Sequence, residues 1–224
     1  AASELRETLP DWSEAVRLAG ERETLGLYLT GHPINRYLAE IPRYVNCRLV
    51  DLQPTRKDQS VTVAGLVVSV RVMINKKGRR WAIVTLDDKS ARLDVRFFPD
   101  LLENFEQLLQ KDHILVITGQ VSFDDFNGGL TMSGRDVSEI TAMREKSLKS
   151  LNITVQSQQI DQNYLQKLQD ALAEYRAGTV PVYLWYQREE GQVRLQLGTA
   201  WWVTPADALL HQLKQLATIE LEFN

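Results

Sequence analysis

Cysteine and histidine are scarce in this sequence. Cys47 is the only cysteine, so the chain cannot form an internal disulfide framework. The three histidines, at positions 32, 113 and 211, are scattered and show no metal-ligand spacing. We therefore expect no bound metal, and a reducing cytoplasm as the compartment.

Long apolar runs and strong charge are also absent. No run approaches the roughly 20 apolar residues of a membrane helix, and the start Ala1-Ala2-Ser3-Glu4 lacks the basic-then-apolar pattern of a signal peptide. We expect no membrane contact, and the missing initiator Met suggests a chain cut from a longer protein. Because the formal net charge is -3, any nucleic-acid contact must be local rather than driven by global charge.

Catalytic constellations are missing as well. The carboxylate pairs Asp87-Asp88 and Asp124-Asp125 could hold a divalent ion, but both fall in predicted loops, where aspartate commonly serves turn geometry. His32 is interpreted as a structural residue of a helix-ending turn, and no glycine-rich phosphate loop is present. We expect neither catalytic residues nor a cofactor in this chain.

The chain is long enough for two compact units and an appended segment, since it has 224 residues and a single domain usually has roughly 100 to 150. Residues 1–45 are predicted to form a short helical segment. One helix covers residues 12–29 and ends at a left-handed Gly31 before Pro33. A second, short helix covers residues 34–41 and is stopped by Pro42.

Residues 60–140 have the pattern of a small barrel. Strands are predicted over residues 61–74, 81–87, 92–98, 114–121 and 130–137, and a helix with a core-facing apolar stripe follows Pro99. The first strand is apolar on both faces, so part of it should be covered on both sides. The order β-β-β-α-β-β predicts a five-stranded OB-fold β-barrel, with other small barrels left open.

Residues 150–224 predict a small C-terminal α+β domain. A helix over residues 161–175, ended by Gly178, leads to strands over residues 180–187, 192–197 and 201–203. Thr204, Pro205 and Asp207 indicate the start of another helix, and a strand over residues 219–223 closes the chain. The fold class is therefore α+β and multidomain.

The loop between the first two barrel strands is the strongest candidate for nucleic-acid binding. In OB folds this loop and the one between strands four and five flank the face that grips oligonucleotides. The candidate residues are Arg71, Lys76, Lys77, Arg79, Arg80, Trp81, Arg92, Arg96 and, with Phe123 in the second loop, Phe126. The alternative is a solvated hairpin tip, and for Trp81 a place in the barrel core is favoured.

Aromatic residues are dense in the C-terminal domain. A domain this small cannot hide Tyr183, Trp185, Tyr186, Trp201 and Trp202, so we expect an exposed patch that binds a partner. Neighbouring residues on a strand face opposite sides, so at most one of the two adjacent tryptophans can enter a one-sided core. The candidate partner-binding residues are Trp185, Trp201, Trp202 and Phe223.

Several segments resemble a known family. GERETLGLYLTGHPI at residues 20–34 is similar to the segment that precedes the OB domain of bacterial DNA polymerase III alpha subunits. VTVAGLV at residues 61–67, TLDD at 85–88 and GQVSFDDF at 119–126 resemble the OB domain itself. GTVPV at residues 178–182 and ELEF at 220–223 resemble the C-terminal domain of the proteobacterial type.

The resemblance implies a non-catalytic part of a replicative polymerase. The OB domain would contact single-stranded template DNA weakly, and the C-terminal domain would dock the tau subunit of the clamp loader. The polymerase's catalytic aspartates with their Mg²⁺, and its motif for the sliding clamp, would lie upstream; Gln107-Leu108-Leu109-Gln110 is a poor match to that motif. Two alternatives remain: a purely structural OB spacer, and an RNA-binding OB domain of a tRNA ligase.

Overall fold

The computed structural model describes residues 14–25, 28, 30–56, 59–124 and 128–224. The chain divides into two compact units, Ala1–Ser138 and Glu139–Asn224. None of the helices in the described ranges has the length and apolar character needed to cross a bilayer.

The N-terminal segment is less helical than the sequence predicts. Helix α1 spans Glu14–Leu25 and so ends before the predicted stop; residues 12, 13, 26, 27 and 29 of the predicted helix lie outside the described residues. Gly31 is not among the described glycines with a positive φ, so it does not cap a helix. In place of the second helix are two 3-10 turns, Pro33–Tyr37 and Ile41–Arg43. Pro42 does not stop a helix here but lies in the first turn of the second 3-10 segment, a position where its missing N–H costs no hydrogen bond.

The first unit contains a closed five-stranded barrel. Its strands are β1 (Val61–Ile74), β2 (Arg80–Asp87), β3 (Arg92–Phe97), β4 (Ile114–Asp124) and β5 (Gly129–Glu139), with helix α2 (Pro99–Phe105) between β3 and β4. They close in the order β1-β2-β3-β5-β4, with β3 and β5 parallel and β1 antiparallel to both β2 and β4. The predicted OB-fold barrel is confirmed, and β4 and β5 are longer than predicted.

The barrel core explains why β1 is apolar on both faces. Residues 63–67 are all buried. Val63 and Val67 belong to the barrel core, whereas Ala64 lines a cavity with Ile34 and Leu38 from the N-terminal segment. The expectation that part of the first strand is covered on both sides is thus confirmed. The predicted apolar stripe also packs on this core, through Leu101, Leu102 and Phe105 of α2 and through Leu108 and Leu109, which follow the end of the helix.

The second unit is a four-stranded sheet with helices. It comprises α3 (Ile140–Ser147), β6 (Leu148–Gln156), α4 (Gln162–Ala173), β7 (Arg176–Val180), β8 (Val182–Arg188), β9 (Gly191–Gln196), α5 (Asp207–Leu216) and β10 (Thr218–Phe223). The sheet order is β10-β6-β8-β9, with β6 and β8 parallel. The apolar stripes of α4 and α5 share one core with alternate residues of β6 and β8.

The segment around Val203 differs from the prediction. Residues 201–203 do not form a strand: Thr199–Trp201 is a 3-10 turn, and only Val203 makes isolated bridges, to Arg176 and Val180. Helix α5 starts at Asp207 with no side-chain cap, because its N-cap residue is Ala206. The Asp207 carboxylate accepts a hydrogen bond from Arg144 at 2.8 Å.

Gly178 does not end a helix. Helix α4 stops at Ala173, and the backbone N–H of Gly178 donates to Trp202 O at 3.2 Å. A Cβ at this position would lie 2.0 Å from the carbonyl carbon of Val203. The glycine is therefore required by the close approach of two backbone segments.

Candidate functional site

The outer face of β2 carries the candidate tryptophan. Ala82 and Val84 are fully buried in the barrel core, whereas Trp81 and Ile83, on the opposite face of the strand, keep part of their surface exposed. The favoured core position for Trp81 is therefore wrong. Strand alternation is the reason, since residues an odd number of positions apart face opposite sides.

Strand register extends this surface over three strands. Met73 of β1 lies directly opposite Trp81, and Arg71 of β1 lies opposite Ile83, which in turn lies opposite Arg96 of β3. Side chains directly opposite each other share a face of the sheet. The structure thus brings together three of the predicted residues, and adds Met73 and Ile83, which the sequence analysis did not single out. Counting the register back from the hairpin turn would have found both.

The centre of this face is polar and internally bonded. The Asp94 carboxylate accepts from Arg71 at 3.2 Å and from the Thr85 hydroxyl at 2.6 Å. Arg96 pairs with Asp124 at 2.9 Å, and Asp124 is only 8% exposed. These carboxylates hold the two guanidinium groups against the sheet, where they lie beside the apolar end formed by Trp81.

The loop between β1 and β2, which we call L12 (residues 75–79), is a tight turn. The Asn75 side chain accepts from the backbone N–H of Lys77 at 2.9 Å and of Arg79 at 3.0 Å. Gly78 has a φ of 74°, a conformation that glycine adopts without strain. Lys76 and Lys77 are exposed and form no ion pair with any residue the structure describes. L12 therefore presents two ammonium groups from a fixed backbone.

The two arginines beside L12 point elsewhere. Arg79 pairs with Asp100 and, at 3.7 Å, with Glu103 of α2, and Arg80 pairs with Glu106 just after α2 through both nitrogens of its fork. The hydrogen bond to Asp100 raises the pKa of Arg79. The predicted basic cluster is therefore divided between two free lysines and two arginines engaged by carboxylates.

The remaining predicted residues of the barrel lie apart from these. Arg92 shares the outer face but pairs with Asp87 at 2.8 Å, and four residues along β3 separate it from Arg96 by about 13 Å. Phe126 and Asp125 lie outside the described residues. Phe123, at the end of β4, is 68% exposed and is the described aromatic residue of the loop between β4 and β5.

Asp87, Asp88 and His32 serve the local fold. Burial raises the pKa of Asp88, but hydrogen bonds from the Ser90 hydroxyl and the Leu49 N–H outweigh it and lower the pKa below its ordinary value. The His32 ring accepts from the Ile34 N–H at 3.2 Å, so His32 caps the start of a 3-10 turn. Burial lowers the pKa of His32 even though Asp87 lies 3.5 Å away. Among the residues with described positions, no cluster of His, Cys, Asp and Glu could hold a metal ion.

In the second unit, Trp185 lies on the sheet face away from the helical core. It stands opposite Thr154 and Arg194, and its indole N–H donates to Asn152 at 2.9 Å. The Arg194 guanidinium lies 3.7 Å from the centre of the Tyr183 ring and 5.3 Å from that of Trp185. Two aromatic rings and a cation thus form one partly exposed surface, which we call the Trp185 face.

The other predicted partner-binding residues do not join that face. Trp201 and Phe223 pack partly against the core of the second unit, and Arg176 covers the Trp201 ring at 4.9 Å. The indole N–H of Trp202 is buried and has no hydrogen-bond partner among the described residues. The four candidates therefore do not make a single patch.

Sequence comparison identifies the relatives of this chain. Residues 167–217 match the profile described as DNA polymerase III subunit alpha, C-terminal domain, and residues 61–140 match that of an OB-fold nucleic acid binding domain. DNA polymerase III subunit alpha of Vibrio cholerae is 53% identical over 219 residues, covering 96% of this chain and 19% of the relative. The same subunit of Escherichia coli K12 is 52% identical over 217 residues, covering 95% of this chain and 19% of the relative.

The similarity extends to more distant bacteria. DNA polymerase III subunit alpha of Haemophilus influenzae is 45% identical over 217 residues, covering 96% of this chain and 19% of the relative. The chain spans about a fifth of the length of these relatives (19% of each). Together with the closed barrel and the α+β unit that follows it, these matches show that the chain belongs to the DNA polymerase III alpha subunit family and corresponds to its C-terminal region.

Proposed function

We propose that this chain handles single-stranded DNA and docks a partner within a bacterial replicative DNA polymerase. The DNA-directed polymerase activity and its Mg²⁺ belong to parts of the parent protein that this chain does not contain. Two-metal chemistry needs clustered carboxylates, and the carboxylates described above are used in turns and ion pairs. We expect no primer extension by the purified chain.

The observation that carries DNA binding is the placement of Trp81. It lies on the outer face opposite Met73, with Arg71 and Arg96 beyond it and the free ammonium groups of L12 next to it along the chain. Single strands bind by stacking bases on such rings while cations follow the phosphates. Because the central carboxylates repel phosphate, bases should cross the sheet and the backbone should follow L12. The formal net charge of -3 keeps the affinity of the chain for DNA low.

The test is fluorescence anisotropy with a labelled oligothymidylate over a range of salt concentrations. Trp81→Ala should weaken binding about 5- to 150-fold, since base stacking contributes about 1–3 kcal/mol. Replacing Lys76 and Lys77 by Gln should flatten the salt slope by about 0.7 for each lost contact. Lys89→Gln is the matched control, because Lys89 is an exposed lysine in the β2–β3 turn and bonds to Asn35.

Unchanged binding by Trp81→Ala would reject this face as the site. Absence of binding by the wild-type chain and by every variant tested, at low salt, would favour the structural-spacer alternative. Equal binding of a labelled oligouridylate would indicate that the face does not distinguish DNA from RNA.

The second unit is proposed to dock the tau subunit of the clamp loader through the Trp185 face. This proposal rests on the partly exposed Tyr183 and Trp185 rings and the stacked Arg194, which is the composition of protein-binding hot spots. Capture of tau should be lost in Trp185→Ala and kept in a version that starts at Glu139. A truncated chain that starts near residue 150 is less suitable, because it lacks Arg144 and so removes the hydrogen-bond donor of Asp207.

Sliding-clamp binding is proposed for the parent protein, outside this chain. The apolar residues of the weak motif match at residues 107–110 are not available to a partner, since Leu109 is buried and Leu108 packs on the barrel core.

A further inference from the structure

Helix α2 places three carboxylates next to L12. Asp100, Glu103 and Glu106 project from the helix and its C-terminal cap, and the first two contact Arg79 while the third binds Arg80. We call this set the α2 carboxylates. Their side chains are 85%, 75% and 47% exposed, so solvent and ligands reach them freely.

The contact between Arg80 and the α2 carboxylates follows from the direction of the Arg80 side chain. Arg80 has the same strand parity as Ala82 and Val84, which point into the core, so its side chain leaves the end of the barrel rather than the Trp81 face. Helix α2 lies at that end because Leu102 is buried in the barrel core. The acidic side of the helix therefore lies where the Arg80 guanidinium emerges.

A carboxylate and a phosphate occupy the same donor edge of a guanidinium group. Both accept two parallel N–H bonds from the arginine fork, so one excludes the other. Glu106 makes this two-bond contact with Arg80. A phosphate that approaches L12 meets two free lysines but must displace a carboxylate to reach either arginine.

We propose that the α2 carboxylates act as a built-in competitor that lowers the affinity of L12 for the phosphates of single-stranded DNA. The proposal rests on the DNA-binding function given above and concerns its regulation. Because of this competition, DNA binds weakly and dissociates rapidly. Arg79 and Arg80 contribute less to the affinity than Lys76 and Lys77 do. A change that draws α2 away from L12, or neutralises its carboxylates, would strengthen binding.

The experiment measures oligothymidylate binding by the 224-residue chain and its variants. Replacing the α2 carboxylates together (Asp100→Asn, Glu103→Gln, Glu106→Gln) should tighten binding at low salt, because it frees both arginines for phosphate. The gain should be limited to about 5- to 30-fold, since exposed ion pairs are individually weak. Asp51→Asn is the matched control for Glu106→Gln. It removes one charge from the exposed Arg48–Asp51 pair, which lies outside L12 and α2, and it should leave binding unchanged.

A second comparison separates displacement from a general charge effect. If Glu106 acts by occupying Arg80, Glu106→Gln should tighten binding in the wild-type background and have no effect in the Arg80→Gln background. A gain of equal size in both backgrounds would overturn the proposal, since it would reflect net charge alone.

Each combination of outcomes is decisive. Tighter binding by the triple variant that depends on Arg79 and Arg80 supports the competitor, even if binding by the wild-type chain is too weak to detect. Wild-type binding that the triple variant leaves unchanged overturns the competitor and keeps the proposed function. If neither chain binds, both are overturned, and circular dichroism on the exposed-site variants excludes loss of fold as the cause.

Discussion

Replacement of Gly178 by alanine is the most severe single-methyl change that the structure predicts. A Cβ there would lie 2.0 Å from the carbonyl carbon and 2.2 Å from the carbonyl oxygen of Val203, and 2.1 Å from the nitrogen of Thr204. All three atoms are backbone, so no side-chain rotation can relieve the contact. The residue that must move, Val203, is fully buried and bridges both ends of β7.

The expected loss follows from what must separate. Moving β7 away from residues 202–204 breaks the Gly178 N–H to Trp202 O bond at 3.2 Å and the Thr204 N–H to Tyr175 O bond at 3.0 Å. Each contributes about 1 kcal/mol, and the overpacking itself costs about 1–3 kcal/mol. We therefore expect Gly178→Ala to lower the free energy of unfolding of the second unit by about 3–5 kcal/mol.

Denaturant unfolding followed by the tryptophans of the second unit measures this loss. Gly191→Ala is the control, because a Cβ at Gly191 would meet nothing within 4 Å and its φ is not positive; it should change stability by less than about 0.5 kcal/mol. DNA binding through Trp81 should survive Gly178→Ala, since the barrel belongs to the first unit. A Gly178→Ala loss below about 1 kcal/mol would refute the argument.

Two further predictions concern stability. Asp88→Ala should destabilise the first unit by about 2 kcal/mol at neutral pH, because it removes the acceptor of the Leu49, Ser90 and Ala91 N–H groups. The pKa of Asp88 is lowered in the folded state, so its stabilisation is complete above about pH 4 and is lost as the pH falls through that lowered pKa. The free energies of unfolding of the wild-type chain and the variant should therefore converge in acid. A difference between them that does not change with pH would contradict this. Arg144→Met should cost the second unit about 3 kcal/mol in urea unfolding, because it removes two hydrogen bonds from a charged donor, to Pro205 O and to Asp207, and Arg144 is only 3% exposed. A loss below about 1 kcal/mol would exclude these bonds as a main support.

The barrel could be predicted from sequence because its signals are local. In β3 the apolar residues Leu93, Val95 and Phe97 alternate with charged ones, a period of two that predicts a buried face, and all three are in the core. Gly128 and Gly129 predict a turn before β5, and Gly128 has the positive φ that such a turn needs. Period and turn chemistry locate the strands and the hairpins, whereas the β1–β4 and β3–β5 pairings that close the barrel join residues far apart in sequence.

The candidate DNA site depended on contacts that a linear sequence does not display. Parity within β2 decides the face of Trp81, and its apolar neighbours Ile83 and Val84 face opposite sides, so nearby apolar residues alone do not place the ring in the core. The pairing of Arg79 and Arg80 with the α2 carboxylates joins residues more than twenty positions apart. Basic residues counted along a chain therefore overstate the cations available to a ligand.

The second unit shows why Trp185, rather than the adjacent tryptophans, is the residue to test for docking. The sequence argument that one of Trp201 and Trp202 must be exposed required a strand, and the chain forms a 3-10 turn there. The Trp202 carbonyl instead accepts the Gly178 N–H, and its indole nitrogen is buried, so substitutions at Trp202 would disturb packing. Loss of partner binding after such a change would not distinguish docking from unfolding. Trp185 lies on a face that the helical core does not use, so its truncation leaves the packed stripes intact. It also removes the donor to the buried Asn152, so the circular dichroism spectrum of Trp185→Ala must match that of the wild-type chain before a loss of binding is assigned to docking.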